Sequence, residues 1–560
     1  MNFKERAKNN LFENENIDNE INEEKMSSKY QLRKQKNKIK IEEQRKKRLL
    51  SFVQNQKNPK KKILLSNNDI MDKPLISNIK TNIKILLEHL NSDDIEKNKW
   101  AIYSIRVYFE KENPELNEYL ILFQNKIYQY LESLLKKYEN NICIINEIFF
   151  IISNLFSDDD IVNDYPEDYF KFFLTDSYIS IYQNILNAND SDLINAVFIL
   201  LENILSEKND LIKNIFNNEE FMYSILDIIN QDIKPEINIC THFVKFFRLI
   251  LNGIKNEDIK NKELFYSMLD KIFIIYVYCD KMSLDIINNI LLCFIVSFKC
   301  KGKDEYENDN YITINYIFNE RFNKNKFVHF FIYSLYTNTK FYLNNNNILI
   351  ASIDLLQNIT YNCAKGQMDE IFTNQQYNIF ELLNNIFISK INGINQVSFV
   401  KKLLNLCNNI IDTELSLALK LIFTDFFSNL IIFFSINLNN KIVVNFFLDT
   451  FVRLIGYNDS IVAENLYKRG IINEGIFYNL LIKSNENNNL YNEEEILKMC
   501  KIISGYLQTV YVADKKNYLN KDEYLLYENF KQFLYSSDSI SEEYKECLLH
   551  KDFMNIKMFF

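Results

Sequence analysis

The sequence predicts an all-α protein built as a solenoid of repeated helices. Three observations carry that prediction. Element breakers are scarce: 560 residues hold eight glycines and five prolines, where average usage gives roughly 39 and 28. Apolar residues recur every three or four positions in segment after segment, as in amphipathic helices with broad buried faces. One helix type then returns at a near-constant interval along the chain, as repeat architectures do.

The scarcity of glycine also excludes chemistry. No GxGxxG or GxxxxGK[ST] string is present, so the glycine loops that let backbone approach a phosphate are missing. Large sheet folds, which depend on glycine and proline turns, are disfavoured too. The nine cysteines include no CxxC pair and lie mostly in apolar runs, the usage of reduced core thiols in a cytosolic or nuclear protein. The four histidines (His89, His242, His329, His550) are scattered, so neither a metal site nor a Ser/His/Asp or Cys/His centre is expected. Acid groups such as Asp158/Asp159 and Glu493/Glu494/Glu495 read as solvated helix caps, not as catalytic pairs. We therefore expect a non-enzyme without a cofactor. The apolar run at residues 290–298, broken only by Ser297, is about half of what a membrane span needs. The charged N-terminus does not resemble a secretory signal, and a soluble intracellular protein is expected.

Charge divides the chain. Residues 1–62 carry 18 basic and 9 acidic groups, a net of +9, whereas the remainder carries 47 against 65, a net of −18. A basic tail on an acidic body predicts an acidic partner, nucleic acid, or the tail folding onto its own body. Within residues 27–62 only Glu42 and Glu43 are acidic, and residues 30–50 contain neither proline nor glycine, so this part is expected to be conditionally helical. Pro59 ends it, and Lys60, Lys61 and Lys62 form a second basic knot. Tyr30 and Phe52 only flank the cluster, so the aromatic interleaving of single-strand nucleic-acid binders is missing. Five segments are expected: a polar N-terminus (1–25), a basic helix (26–56), a linker carrying the knot (57–77), the repeats (78–545) and a C-terminal tail (546–560).

The body alternates apolar runs such as INEIFFIISNLF, LINAVFILLENIL and ILIASIDLLQNI with polar joints: SDDD (157–160), NANDSD (187–192) and NNNN (344–347). Those joints offer N-cap side chains. The recurring helix carries the pattern apolar-x-apolar-x-x-Asn-apolar. Its marked position falls at Ser104, Asn154, Asn203, Arg248, Ser297, Asn358, Asn409 and Arg453, at intervals of 50, 49, 45, 49, 61, 51 and 44 residues. That spacing lies near the armadillo and HEAT period, with room for roughly ten repeats. KGKDEYENDNY (301–311) reads as a loop insertion in the longest interval.

Leu32, Arg33, Lys34, Lys36 and Lys38, followed by Arg45, Lys46, Lys47 and Arg48, resemble the importin-β-binding domain of the importin-α family of nuclear import adaptors. The second cluster arrives about one helical turn later than in that family, and Asn37 replaces an arginine. The stretches 90–114, 130–159 and 463–481 are similar to the family's first, second and a late armadillo repeat. The resemblance implies that the tail binds importin-β and that the repeats bind a cargo's basic nuclear localisation signal. It also implies that the protein shuttles between cytoplasm and nucleus and that an exportin recycles it. Neither nucleic acid nor membrane insertion is expected. Lys60, Lys61 and Lys62 resemble a localisation signal and are expected to occupy the chain's own groove as an autoinhibitory segment, so that removing residues 1–70 raises affinity for a basic peptide.

The family's cargo groove pairs a tryptophan with an asparagine four residues on, a spacing that places both on one helix face. Here the aromatic position reads Phe150, Ile199, Val244, Cys293, Asp354, Asn405 and Asp449, and the sole tryptophan, Trp100, lies outside that series. The asparagines stand at Asn154, Asn203, Asn358 and Asn409, while Arg248 and Arg453 replace two others and are expected to repel a basic peptide. Glu207 follows Asn203 by four residues, where the family places the acid that receives a key lysine. A frame shifted by one residue instead pairs Phe198 with Glu202. Each lost cation–π slot removes about 1 kcal/mol, so a weakened lysine groove is expected. The alternative is a divergent armadillo scaffold serving a non-transport protein partner.

Overall fold

Asparagine starts these helices. The Asn345 carboxamide oxygen accepts from the Asn347 and Ile348 amides at 3.1 and 3.3 Å, and Asn440 does the same for Ile442 and Val443. Asn78, Asn141, Asn218 and Asn378 each cap a helix by accepting from the third residue on. Asp190 receives the amides of Asp192 and Leu193. Two of the expected joints, 187–192 and 344–347, thus supply caps; the third, 157–160, lies outside the described residues.

The computed structural model describes Leu65, Ile70 and residues 73–536, apart from 112–115, 157–167, 189, 206–208, 230–235, 256–258, 280–282, 304–308, 312, 314–315, 318–325, 364, 373–376, 392–395, 473–476, 478–479, 482–490 and 514–520. The basic tail (Leu32 to Arg48), Lys60 to Lys62, Glu207 and the segment 546–560 lie outside the described residues. The chain divides into two compact units, residues 1–211 and 212–560.

Among the described residues, nine helices that stack one on the next within each unit set the rhythm. In the first unit these are α1 (Ile95–Lys111), α2 (Ile142–Leu155) and α3 (Ser191–Leu205). In the second they are α4 (Ile237–Ile254), α5 (Leu284–Ser297), α6 (Asn346–Asn362), α7 (Gln396–Thr413), α8 (Lys441–Ile455) and α9 (Glu493–Ala513). Within each unit every long helix packs on the next. Shorter helices precede most of them, as Leu116–Gln124 and Ile127–Lys137 precede α2, and Leu415–Ile422 and Asp425–Ile436 precede α8; Lys262–Cys279, ahead of α5, is longer than α5 itself. At α2 and α8 a short, a middle and a long helix make one repeat. The eight marked positions from Ser104 to Arg453 fall one each on α1 to α8.

The stacking explains the composition. A helix flanked by neighbours on several sides must be apolar nearly all round; in α2, Ile144 to Ser153 and Leu155 are all buried. Just ahead of Asp176–Asn187 the core is packed by rings. Phe173 is fully buried, with Phe156 at 5.6 Å, Tyr178 at 5.3 Å and Phe123 at 6.3 Å between ring centroids. Glycine serves close approach instead. A Cβ on Gly253 would fall 2.4 Å from Ile212, and one on Gly505 in α9 would fall 2.3 Å from Ile455 of α8.

Two expectations are corrected. Segment 301–311 is not simply a loop: β1 (Lys301–Lys303) pairs antiparallel with β2 (Asp309–Tyr311), Lys301 opposite Tyr311. The Lys301 carbonyl also accepts from the Ile259 amide at 2.9 Å, which ties the hairpin to the repeat body. Glu495 is not a solvated cap but is buried. Its carboxylate accepts from the Asn492 amide at 2.9 Å, while Asn492 accepts from the Glu495 amide at 2.8 Å. That is a reciprocal capping box.

Candidate functional site: the faces of the long helices

The residues singled out for peptide binding sit on the long helices, in two groups. Phe150 and Asn154 lie on α2 and Asn203 on α3, in the first unit; Asn358 on α6 and Asn409 on α7 belong to the second. Phe150 is only 6% exposed, so its ring faces other side chains and offers little surface to a lysine. Asn154 is half-buried and Asn203 is buried. In the shifted frame Phe198 is fully buried and Glu202 half-buried.

In the second unit the same positions join neighbouring helices. Arg248 of α4 donates to the Asn289 side-chain oxygen of α5 at 2.6 Å. Asp354 of α6 pairs with Lys402 of α7. The Asn409 amide of α7 donates to the Gln357 carbonyl at 3.1 Å and to the Thr360 hydroxyl at 3.0 Å, both on α6. Thr450 of α8 donates to the Asn408 side chain of α7 at 2.8 Å, and Arg453 pairs with Asp412. Asp449 of α8 meets Lys498 of α9 at 2.9 Å. Asn358 turns back on its own helix, donating to the Asp354 carbonyl at 2.8 Å.

The electrostatics follow from these pairs. Burial opposes the charge on Lys498, yet hydrogen bonds to Glu494 and Asp449 outweigh it and hold the ammonium above its ordinary value. The Lys498 ammonium in turn lowers Glu494. Arg453, expected to repel a basic peptide, has its charge offset by Asp412. At the aromatic positions Val244 and Cys293 are fully buried, and burial pushes the Cys293 thiol far up. The thiols of Cys300, Cys363 and Cys500 are each pushed up to about 12 by burial, so they are poor nucleophiles.

The first unit holds an arrangement that sequence reasoning missed. Arg106 of α1 and Glu147 of α2 form an ion pair at 2.6 Å, 9% and 0% exposed at their side chains. Both also hold the backbone of Leu65, in the linker before the first repeat. The Leu65 amide donates to Glu147 Oε1 at 2.7 Å, and the Leu65 carbonyl accepts from Arg106 Nη2 at 3.3 Å. A lone glutamate in the apolar run INEIFFIISNL was the one available signal.

Trp100 is buried against His89, ring centroids 5.0 Å apart. Among the described residues no group of three or more His, Cys, Asp or Glu could hold a metal ion, and no single helix is long and apolar enough to cross a membrane.

No family profile and no curated protein matches the sequence. Solved structures do. An engineered protein superposes with a TM-score of 0.56 at 11% identity, over 85% of this chain and 98% of that one. A chain from a structure concerned with a phosphorylation switch in the interaction between cadherin and beta-catenin gives 0.51 at 12% identity, over 81% and 86%. These neighbours are helical repeat proteins, the second of them of the armadillo type. The fold is an armadillo-like helical solenoid. Identities this low bear on the fold alone.

Proposed function

We propose that the chain is a nuclear import adaptor, binding importin-β through its basic N-terminal segment and cargo peptides along its long helices. The observation that carries this is the combination of an armadillo-like solenoid with the two basic clusters Arg33–Lys38 and Arg45–Arg48 ahead of it. Arginine and lysine on a helix suit a partner lined with carboxylates, through paired and charge-assisted hydrogen bonds. An exportin is the corresponding recycling partner. On the cargo side the residues assigned to an extended basic peptide are Asn154, Asn203, Asn358 and Asn409, with Glu207 for a lysine. The Asn358 and Asn409 amides also bond within the solenoid.

The test is retention of importin-β by an immobilised peptide of residues 20–65. Retention that is lost on replacing Arg45, Lys46, Lys47 and Arg48 with alanine supports the adaptor; no retention contradicts it.

One observation favours a second reading. The pairs Asp354–Lys402 and Asp449–Lys498 occupy positions where the resemblance calls for open aromatic slots. A scaffold for a non-transport protein partner needs no lysine slots, and a structural neighbour from a cadherin–beta-catenin interaction illustrates such use of the fold. Binding of a lysine-rich peptide to the full chain separates the two.

A further inference from the structure

Glu147 is fully buried and Arg106 is 8% exposed. Burying such a pair costs several kcal/mol per ion before their attraction is counted, so what the remaining hydrogen-bonding atoms do is informative. The ion pair uses Arg106 Nε and Glu147 Oε2. Arg106 Nη2 and Glu147 Oε1 engage both backbone groups of one residue, Leu65. The guanidinium also lies over the Tyr103 ring, 4.8 Å from its centroid, which fixes its plane. The Leu65 side chain is 6% exposed and packs with Tyr103 and Val107, joined by Ile70, Leu75 and Cys143.

Such contacts read a main chain rather than a side-chain identity. A donor and an acceptor meet the carbonyl and amide of one residue, and an apolar recess takes its side chain. Any extended segment with an aliphatic residue satisfies both. Leu65 reaches the pair from a linker 41 and 82 residues away in sequence, not from within a repeat. We infer that Arg106 and Glu147 form a peptide-binding socket for an extended segment carrying an aliphatic residue, and that Leu65 fills it in cis in competition with such a segment supplied in trans. The residue that fills the socket follows the Lys60–Lys62 knot by three positions, so displacing it releases the linker that carries the knot. The socket stands on first-unit geometry and does not depend on the import reading; importin-β binding to the tail can fail with the socket intact.

The probe is a fluorescent peptide of residues 60–72, titrated by anisotropy into the full chain. Leu65→Pro in the protein removes the amide that Glu147 accepts from and vacates the socket, and Leu65→Asp, which puts a charge in the apolar recess, does so where the proline variant fails to fold. The vacated protein is expected to bind the probe at least ten-fold more tightly than the unmodified chain. A probe carrying the same Leu65→Asp change should bind neither. Replacing the pair together, Arg106→Met with Glu147→Leu, avoids stranding one buried charge and should abolish the gain in the vacated protein. Equal binding by unmodified and vacated chains overturns the socket, as does probe binding that survives loss of the pair. No binding to a folded, vacated chain also overturns it and makes the pair a structural buckle.

Discussion

Gly505 and Asn345 show how single residues hold this fold. An alanine in a helix interior normally gains about 1 kcal/mol over glycine, yet a Cβ at Gly505 would fall 2.3 Å from the Ile455 methyl. Ile455 is β-branched and stiff within α8, so overpacking of about 1–3 kcal/mol prevails. Gly505→Ala is therefore expected to lower the thermal unfolding midpoint, where a free helix would gain. Asn345→Ala removes the cap of α6 and should cost about 1 kcal/mol by denaturant unfolding. Caps of this kind were legible in the sequence, because polar joints before apolar runs have one obvious use. The Leu65 contacts were not: a linker leucine and a lone glutamate 82 residues apart share no period. The burial of Phe150 escaped notice for a related reason, since an aromatic on a helix buried nearly all round looks the same in sequence as one facing a groove.

At the scale of elements, the marked positions predicted eight successive helices, one each on α1 to α8. Periodicity finds the helix but not the neighbour that each polar residue meets. Asp354, Asn409 and Asp449 read as groove positions and turn out to bridge α6 to α7 and α8 to α9. A double-mutant cycle of Asp354→Asn and Lys402→Met should return a coupling of about 0.5–1 kcal/mol, the range of partly exposed pairs; additive effects would show that the bridge adds nothing. In the first repeat, burial against Trp100, together with the positive charges of Lys73 and Lys97, lowers the His89 imidazole below its ordinary 6.5. On acidification the unfolded chain then takes up this proton before the folded one. The stability contributed by His89 is full above 6.5 and declines as pH falls below it. Proton NMR should place the His89 midpoint below 6.5, and Lys73→Gln should raise it.

For the molecule as a whole, composition foretold the armadillo-like solenoid: almost no breakers, a steady helix period, and acid and asparagine at the joints. The division at residues 211 and 212 has no counterpart in the sequence pattern, because a repeat array reads alike on both sides of such a boundary. The contacts at Leu65 also refine how the tail is to be studied. Removing residues 1–70 would take Leu65 with it and leave Arg106 and Glu147 without that backbone, whereas removing residues 1–62 tests the basic segments alone. The central claim is that one chain links importin-β to a basic signal. Size-exclusion chromatography of the full chain with importin-β and a fluorescent lysine-rich signal peptide tests it most directly. The expected result is a single peak containing all three, with importin-β lost when residues 1–62 are removed. Importin-β and the folded full chain eluting apart would contradict the account.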